Sequence, residues 1–79
     1  MAYSESDKSK LKAFGLTVKR LREEKGLSQM ELSFRADLDR TYIGSLERGH
    51  RNVSILNLLK IADALDVHIS TLFEWPPKE

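Results

Sequence analysis

Residues 28–48, SQMELSFRADLDRTYIGSLER, decide the fold. Ser28 stands three residues before Glu31, the spacing of a capping box. The serine hydroxyl accepts from the Glu31 amide while the carboxylate reaches back to the amide of Ser28. Leu27 and Leu32 flank this start at the two positions of a hydrophobic staple. Asp39 repeats the device eleven residues later, with Leu38 and Ile43 as its staple pair. Two helix starts that close leave room for about two turns of helix and a tight turn between them, the spacing of a helix-turn-helix.

Outward from this stretch, Leu11, Phe14, Val18 and Leu21 fall at intervals of three, four and three, the stripe of an amphipathic helix over Ser9–Lys25. Gly26 closes it, because glycine takes the left-handed conformation of a helix C-terminus. The second helix is expected over Gln29–Ala36, with Met30, Leu32 and, as a further candidate, Phe34 inward. Asp37 takes the turn, where it tolerates a left-handed backbone better than most residues. The third helix is expected over Arg40–Arg48, with Ile43 and Leu46 inward and Gly49 as its stop. After the polar loop His50–Val53, Ser54 caps a fourth helix with Ile55, Leu58, Leu59, Ala62 and Leu65 on one face. Asp66 to His68 is a break. A short fifth helix over Ser70–Phe73 ends at Trp75, because Pro76 and Pro77 cannot continue it. The expectation is an all-α chain of five helices, with a flexible N-terminal arm at 1–8, one domain over 9–75 and a C-terminal tail at 76–79.

Seventy-nine residues make one small domain, for which a partner subunit is a natural supplement to a modest core. There is no cysteine, hence no disulfide framework, thiolate metal site or cysteine nucleophile. The polar start MAYSESDKSK has no apolar signal region and no run approaches a membrane span, which places the expectation in the cytoplasm. Net charge is only +1, but its distribution is uneven. Residues 1–52 hold eleven Lys or Arg against eight Asp or Glu, and residues 53–79 hold two against four. Such asymmetry suggests one face for an anionic partner and another for something else.

With Ile43 and Leu46 inward, the opposite side of the third helix shows Arg40, Thr41, Gly44, Ser45 and Arg48. Arginine grips guanine O6 and N7 in a bidentate manner, and threonine offers a hydroxyl and a methyl group to bases in the major groove. Gly44 costs the helix about 1 kcal/mol relative to alanine, which makes sense if a groove edge comes close. Base reading is therefore assigned to Arg40, Thr41, Ser45 and Arg48, against the alternative of a solvated helix face. Tyr42 either donates to a phosphate or seals the helix junction. Ser28 and Gln29 open the second helix, where amides bind phosphate readily. Arg35, Arg51 and Asn52 are candidate backbone contacts that position without reading sequence. The cluster Lys19, Arg20, Arg22 and Lys25 reads equally as a dipole-friendly face or as phosphate contact. His50 and His68 stand in different loops without a carboxylate or cysteine cluster, and read as surface or packing residues rather than metal ligands. With no phosphate-binding glycine loop or paired-carboxylate arrangement, no enzyme is expected.

The run LREEKGLSQMELSFRADLDRTYIGSLERG resembles the helix-turn-helix repressors of the Cro, phage-repressor and XRE type over about residues 10 to 74. Within that family, LDRTYIGSLERGHRN is most similar to the controller proteins of restriction-modification systems. The resemblance implies a five-helix lambda-repressor-like domain. It implies that Gln29 contacts phosphate, that Arg40, Thr41 and Ser45 face bases, and that Arg22 and Glu47 form a buried salt bridge. Ser33 stands where alanine is usual and Asp37 where the turn glycine is usual.

The expected function is a sequence-specific transcriptional regulator, a homodimer on a palindromic double-stranded DNA operator that controls restriction-modification genes. No cofactor, metal, membrane or small-molecule effector is implied, since few residues remain for a sensor. The alternative is an antitoxin-like or other protein-binding module on the same fold. Ile69, Leu72, Phe73 and Trp75 crowd seven residues and are the expected dimer contacts, with Ile69 and Trp75 favoured because Leu72 and Phe73 could instead cap the monomer core.

Overall fold

The computed structural model describes residues 2–75; the expected tail at 76–79 and Met1 of the expected arm lie outside the described residues. Four α-helices follow in order: α1 Glu5–Glu24, α2 Gln29–Ala36, α3 Arg40–Glu47 and α4 Ile55–Leu65. The expected fifth helix is instead a single 3-10 helix over Ile69–Phe73. Its bonds run from residue i+3 back to residue i, Thr71 N to the His68 carbonyl at 2.9 Å and Glu74 N to the Thr71 carbonyl at 3.2 Å, the tighter winding of short connecting pieces. No strand occurs among the described residues.

The caps set the boundaries. Ser28 and Glu31 form the reciprocal box at the start of α2, with Glu31 N to Ser28 Oγ at 3.0 Å and Ser28 N to Glu31 Oε1 at 2.8 Å. Asp39 caps α3 by accepting from the Thr41 amide at 2.7 Å. Ser54 caps α4 by accepting from the Asn57 amide. Asp37 ends α2 in the left-handed region at φ 55°, and Asp66 ends α4 the same way at φ 56°. Helix α1 begins four residues before the expected Ser9. Ser4 and Asp7 make a further capping box, so residues 5–8, assigned to the arm, are helical.

One hydrophobic core joins all the elements. It holds Phe14, Val18, Leu21, Leu27, Leu32, Ile43, Leu46, Ile61, Leu65 and Leu72, with Ala36, Ala62 and Ala64 where helices approach closely. The closest approach is at Gly15. A Cβ there would overlap the Leu46 carbonyl oxygen and stand 2.7 Å from that of Glu47. This mid-helix glycine lets α1 lie backbone to backbone against the end of α3.

Several residues face differently from expectation. Met30 and Phe34 point outward, Phe34 with 77% of its surface exposed. On α4, Ile61 and Ala64 join Ala62 and Leu65 inside, while Ile55 and Leu59 are exposed and Leu58 is half-buried. The segment ILNLLKIADAL is apolar on nearly every side, so periodicity permits more than one inward face.

Candidate nucleic-acid interface

A buried ion pair frames the helix-turn-helix. Arg22 at the end of α1 donates from Nε to Glu47 Oε2 at 2.7 Å and from Nη2 to Glu47 Oε1 at 3.0 Å. Its Nη1 donates to the Leu27 carbonyl at 2.8 Å, tying down the α1–α2 link. Burial works against the charged guanidinium, but the hydrogen bond with Glu47 outweighs it, and the Arg22 pKa lies above its ordinary value. Glu47 Oε1 also accepts from Gln29 Nε2 at 3.0 Å. One ion pair thus fixes the end of α1, the start of α2 and the end of α3 relative to one another.

Beside this frame, Arg40, Thr41 and Arg48 of the α3 segment are exposed. Arg40 and Thr41 open the helix, and Arg48 closes it as the C-cap. Gly44 is buried rather than exposed, under the side chains of Gln29 and Arg48. A Cβ there would meet Arg48 Nη1 at 3.4 Å and Gln29 Oε1 at 3.5 Å, ordinary contact with flexible groups.

Ser45 is not the outward group expected of a base reader. It is buried, its Oγ donates to the Tyr42 carbonyl at 2.9 Å, and the same oxygen accepts from Arg51 Nε at 2.8 Å. Ser45 stands at i,i+4 from Thr41 on the same face, so helical period alone leaves it outward. It is covered because Arg51, from the loop after α3, reaches back over its Oγ. Tyr42 is half-buried, with its hydroxyl accepting from Asn57 Nδ2 at 3.2 Å and its ring under the Arg51 guanidinium, 5.2 Å from the centroid.

Among the candidate backbone contacts, Arg35, Arg51 and Asn52 are exposed and Gln29 is half-buried. Gln29 has given one of its two amide donors to Glu47, which leaves one. Ser28 is exposed; its amide donates to Glu31 and its Oγ accepts from the Glu31 amide, which leaves the hydroxyl proton to donate. Those bonds hold the Glu31 carboxyl below its ordinary pKa and set a negative charge at the start of α2. That charge disfavours an anion at the same helix start.

Of the α1 residues on this side, sequence reasoning named Lys19 but not Lys8, Lys12 or Leu16. Lys12, Leu16 and Lys19 line one groove with Gln29, Gly44 and Arg48, and His50 closes it. Lys8 and Tyr3 extend the same side past Gly49. The signal was present in the spacing of Lys8, Lys12 and Lys19, which share a helix face. His68 instead caps the 3-10 helix, its Nδ1 accepting from the Ser70 amide.

The four expected dimer contacts divide. Leu72 is wholly buried within this chain, so no partner surface can reach it, and Phe73 stacks on Phe14 with centroids 5.9 Å apart. Ile69 is half-buried against the core, and Trp75 is 39% exposed. The larger apolar surface lies on the first turns of α4, where Ile55 is 72% and Leu56 71% exposed, with Leu59 beside them.

The helix-turn-helix family model HTH_3 matches residues 18–72, from the middle of α1 to the 3-10 helix. The chain belongs to this family. Among its relatives, control protein C.MunI from a Mycoplasma species is 49% identical over 67 residues, 84% of this chain and 90% of that protein. The crystal structure of the restriction-modification controller protein C.AhdI from Aeromonas hydrophila superimposes with a TM-score of 0.81 at 51% identity, over 82% of this chain and 98% of that one. The controller protein C.Esp1396I, solved as a tetramer in complex with its natural 35 base-pair operator, matches at a TM-score of 0.74 and 39% identity. That match covers 81% of this chain and 84% of that one. The resemblance of LREEKGLSQMELSFRADLDRTYIGSLERG to XRE-type regulators, and of LDRTYIGSLERGHRN to the controller proteins among them, is the one these relatives show. In this helix-turn-helix protein no helix among the described residues is long and apolar enough to cross a membrane.

Proposed function

We propose that this chain is a sequence-specific DNA-binding regulator of transcription, a homodimer acting on a palindromic operator that controls restriction-modification genes. The observation that carries this reading is Arg40, Thr41 and Arg48 exposed on an α3 segment whose position is held by the buried Arg22–Glu47 pair. The operator complex of C.Esp1396I supports it by similarity. Arg40, Thr41 and Arg48 read base edges from the major groove. Gln29, Arg35, Arg51 and Asn52, with Tyr42 and the lysines of α1, hold the phosphate backbone and set the register.

The homodimer forms through the exposed edge of α4, with Ile55, Leu56 and Leu59 at its centre and Ile69, Phe73 and Trp75 at its margin. A contiguous apolar surface of this kind usually marks an interface. A twofold contact sets two recognition helices about 34 Å apart, one turn of DNA. The bound dimer acts by occupancy, blocking polymerase or recruiting it at a suitably placed site, in the cytoplasm and with no catalytic step. Lys8, in the second turn of α1, extends the basic side of that helix.

Exposed Met30 and Phe34 on α2 favour a second reading, a module that binds another protein. Selection of bound sequences from random duplex DNA separates the two. Enrichment of a palindrome, lost in Arg40→Ala, supports the regulator. No enrichment, with a co-purifying protein retained by Arg40→Ala, supports the module.

A further inference from the structure

The side chain of Arg51 is held before any ligand arrives. Its Nε donates to Ser45 Oγ at 2.8 Å, and its guanidinium lies over the Tyr42 ring at 5.2 Å. Each contact is secured from beneath. The Ser45 hydroxyl spends its own proton on the Tyr42 carbonyl, so its oxygen is left as an acceptor aimed at Arg51. The Tyr42 ring is fixed through its hydroxyl by Asn57, whose amide is the one capped by Ser54 at the start of α4. Among the described residues the two terminal nitrogens of Arg51 have no hydrogen-bond partner, and the residue is exposed.

We infer that Ser45 is a positioning residue for DNA binding: with the Tyr42 ring it locks Arg51 so that both terminal nitrogens face one phosphodiester group. This inference rests on the DNA-binding reading above. An unrestrained arginine on a polar loop loses rotamer freedom when it binds; one already fixed by a hydrogen bond and a ring stack loses little. The planar fork left outward suits bidentate contact with phosphate oxygens. Ser45 therefore contributes to affinity without touching the ligand, and only through Arg51.

A double-mutant cycle on random-sequence duplex DNA tests this. Ser45→Ala is expected to weaken binding by about three- to tenfold per protomer, with little change in melting temperature. Arg51→Ala weakens it further and lowers the salt slope by about one phosphate per protomer. Adding Ser45→Ala to Arg51→Ala should then change nothing. If Ser45→Ala costs as much in the Arg51→Ala background as in the wild type, Ser45 acts independently and the positioning role is overturned. A wild-type protein that binds no duplex overturns the DNA-binding reading itself.

A second measurement needs neither DNA nor a variant fold. In the free protein the Arg51 Nε–H should exchange with solvent more slowly than those of exposed Arg35 and Arg40. Equal exchange rates for the three would overturn the proposal.

Discussion

Arg22 on α1 and Glu47 on α3, twenty-five residues apart, meet in a buried bidentate pair with N–O distances of 2.7 and 3.0 Å. The same carboxylate holds Gln29 at the start of α2. Removing one partner leaves the other charge buried, so Arg22→Ala or Glu47→Ala should lose about 3–5 kcal/mol of stability. In a domain this small that approaches unfolding, and either variant would lose DNA binding for a structural reason. Thermal melts check it. A variant with the wild-type melting temperature and poor DNA binding would reject a structural role for the pair.

Two glycines make opposite predictions. Gly15→Ala forces a methyl group into the Leu46 and Glu47 carbonyls, where backbone must move, and should cost about 1–3 kcal/mol. Gly44→Ala meets only the flexible ends of Arg48 and Gln29, and should gain up to about 1 kcal/mol of helix propensity. Denaturant midpoints for the two variants should move in opposite directions.

Base reading is tested by a ratio. Arg40→Ala and Thr41→Ala should lower affinity for the selected operator far more than for random DNA, Arg40→Ala by about 1–3 kcal/mol with one base position relaxed. An unchanged ratio of specific to random affinity in Arg40→Ala would show that α3 does not read bases this way.

For the dimer, Ile55→Asp and Leu56→Asp should sediment as folded monomers, since both side chains are outside the core. Leu72→Ala should instead cost about 2–5 kcal/mol as a cavity in the monomer. Persistence of the dimer in both aspartate variants would move the interface away from α4.

The Glu31 carboxyl is held below its ordinary pKa of 4.5, chiefly by the backbone hydrogen bond from Ser28 and then by the Ser28 side chain. A depressed folded pKa means that its contribution is fully present above the ordinary value and is lost as pH falls through the lower folded one. Wild type should therefore lose more stability than Glu31→Gln on acidification from about pH 5 to pH 2. Parallel pH profiles would show that the box does not hold the carboxylate.

The sequence by itself determined where α2, α3 and α4 begin and where the chain turns. Those features depend on neighbours a few residues apart: Ser28 with Glu31, Asp39 with Thr41, and Asp37 and Asp66 in left-handed turns. The missed start of α1 was written in the same code, in Ser4 and Asp7. Tertiary structure alone decided which way side chains face once a helix offers more than one apolar side. Leu32 went inward but Met30 and Phe34 outward, and Ile61 displaced Ile55 and Leu59 from the core. It also decided that Ser45 serves Arg51 from beneath rather than facing outward, and that Leu72 belongs to the core of its own chain. Caps and turns are satisfied by groups a few residues away, whereas burial depends on surfaces brought together from distant parts of the chain. Helical period restricts those pairings without choosing among them.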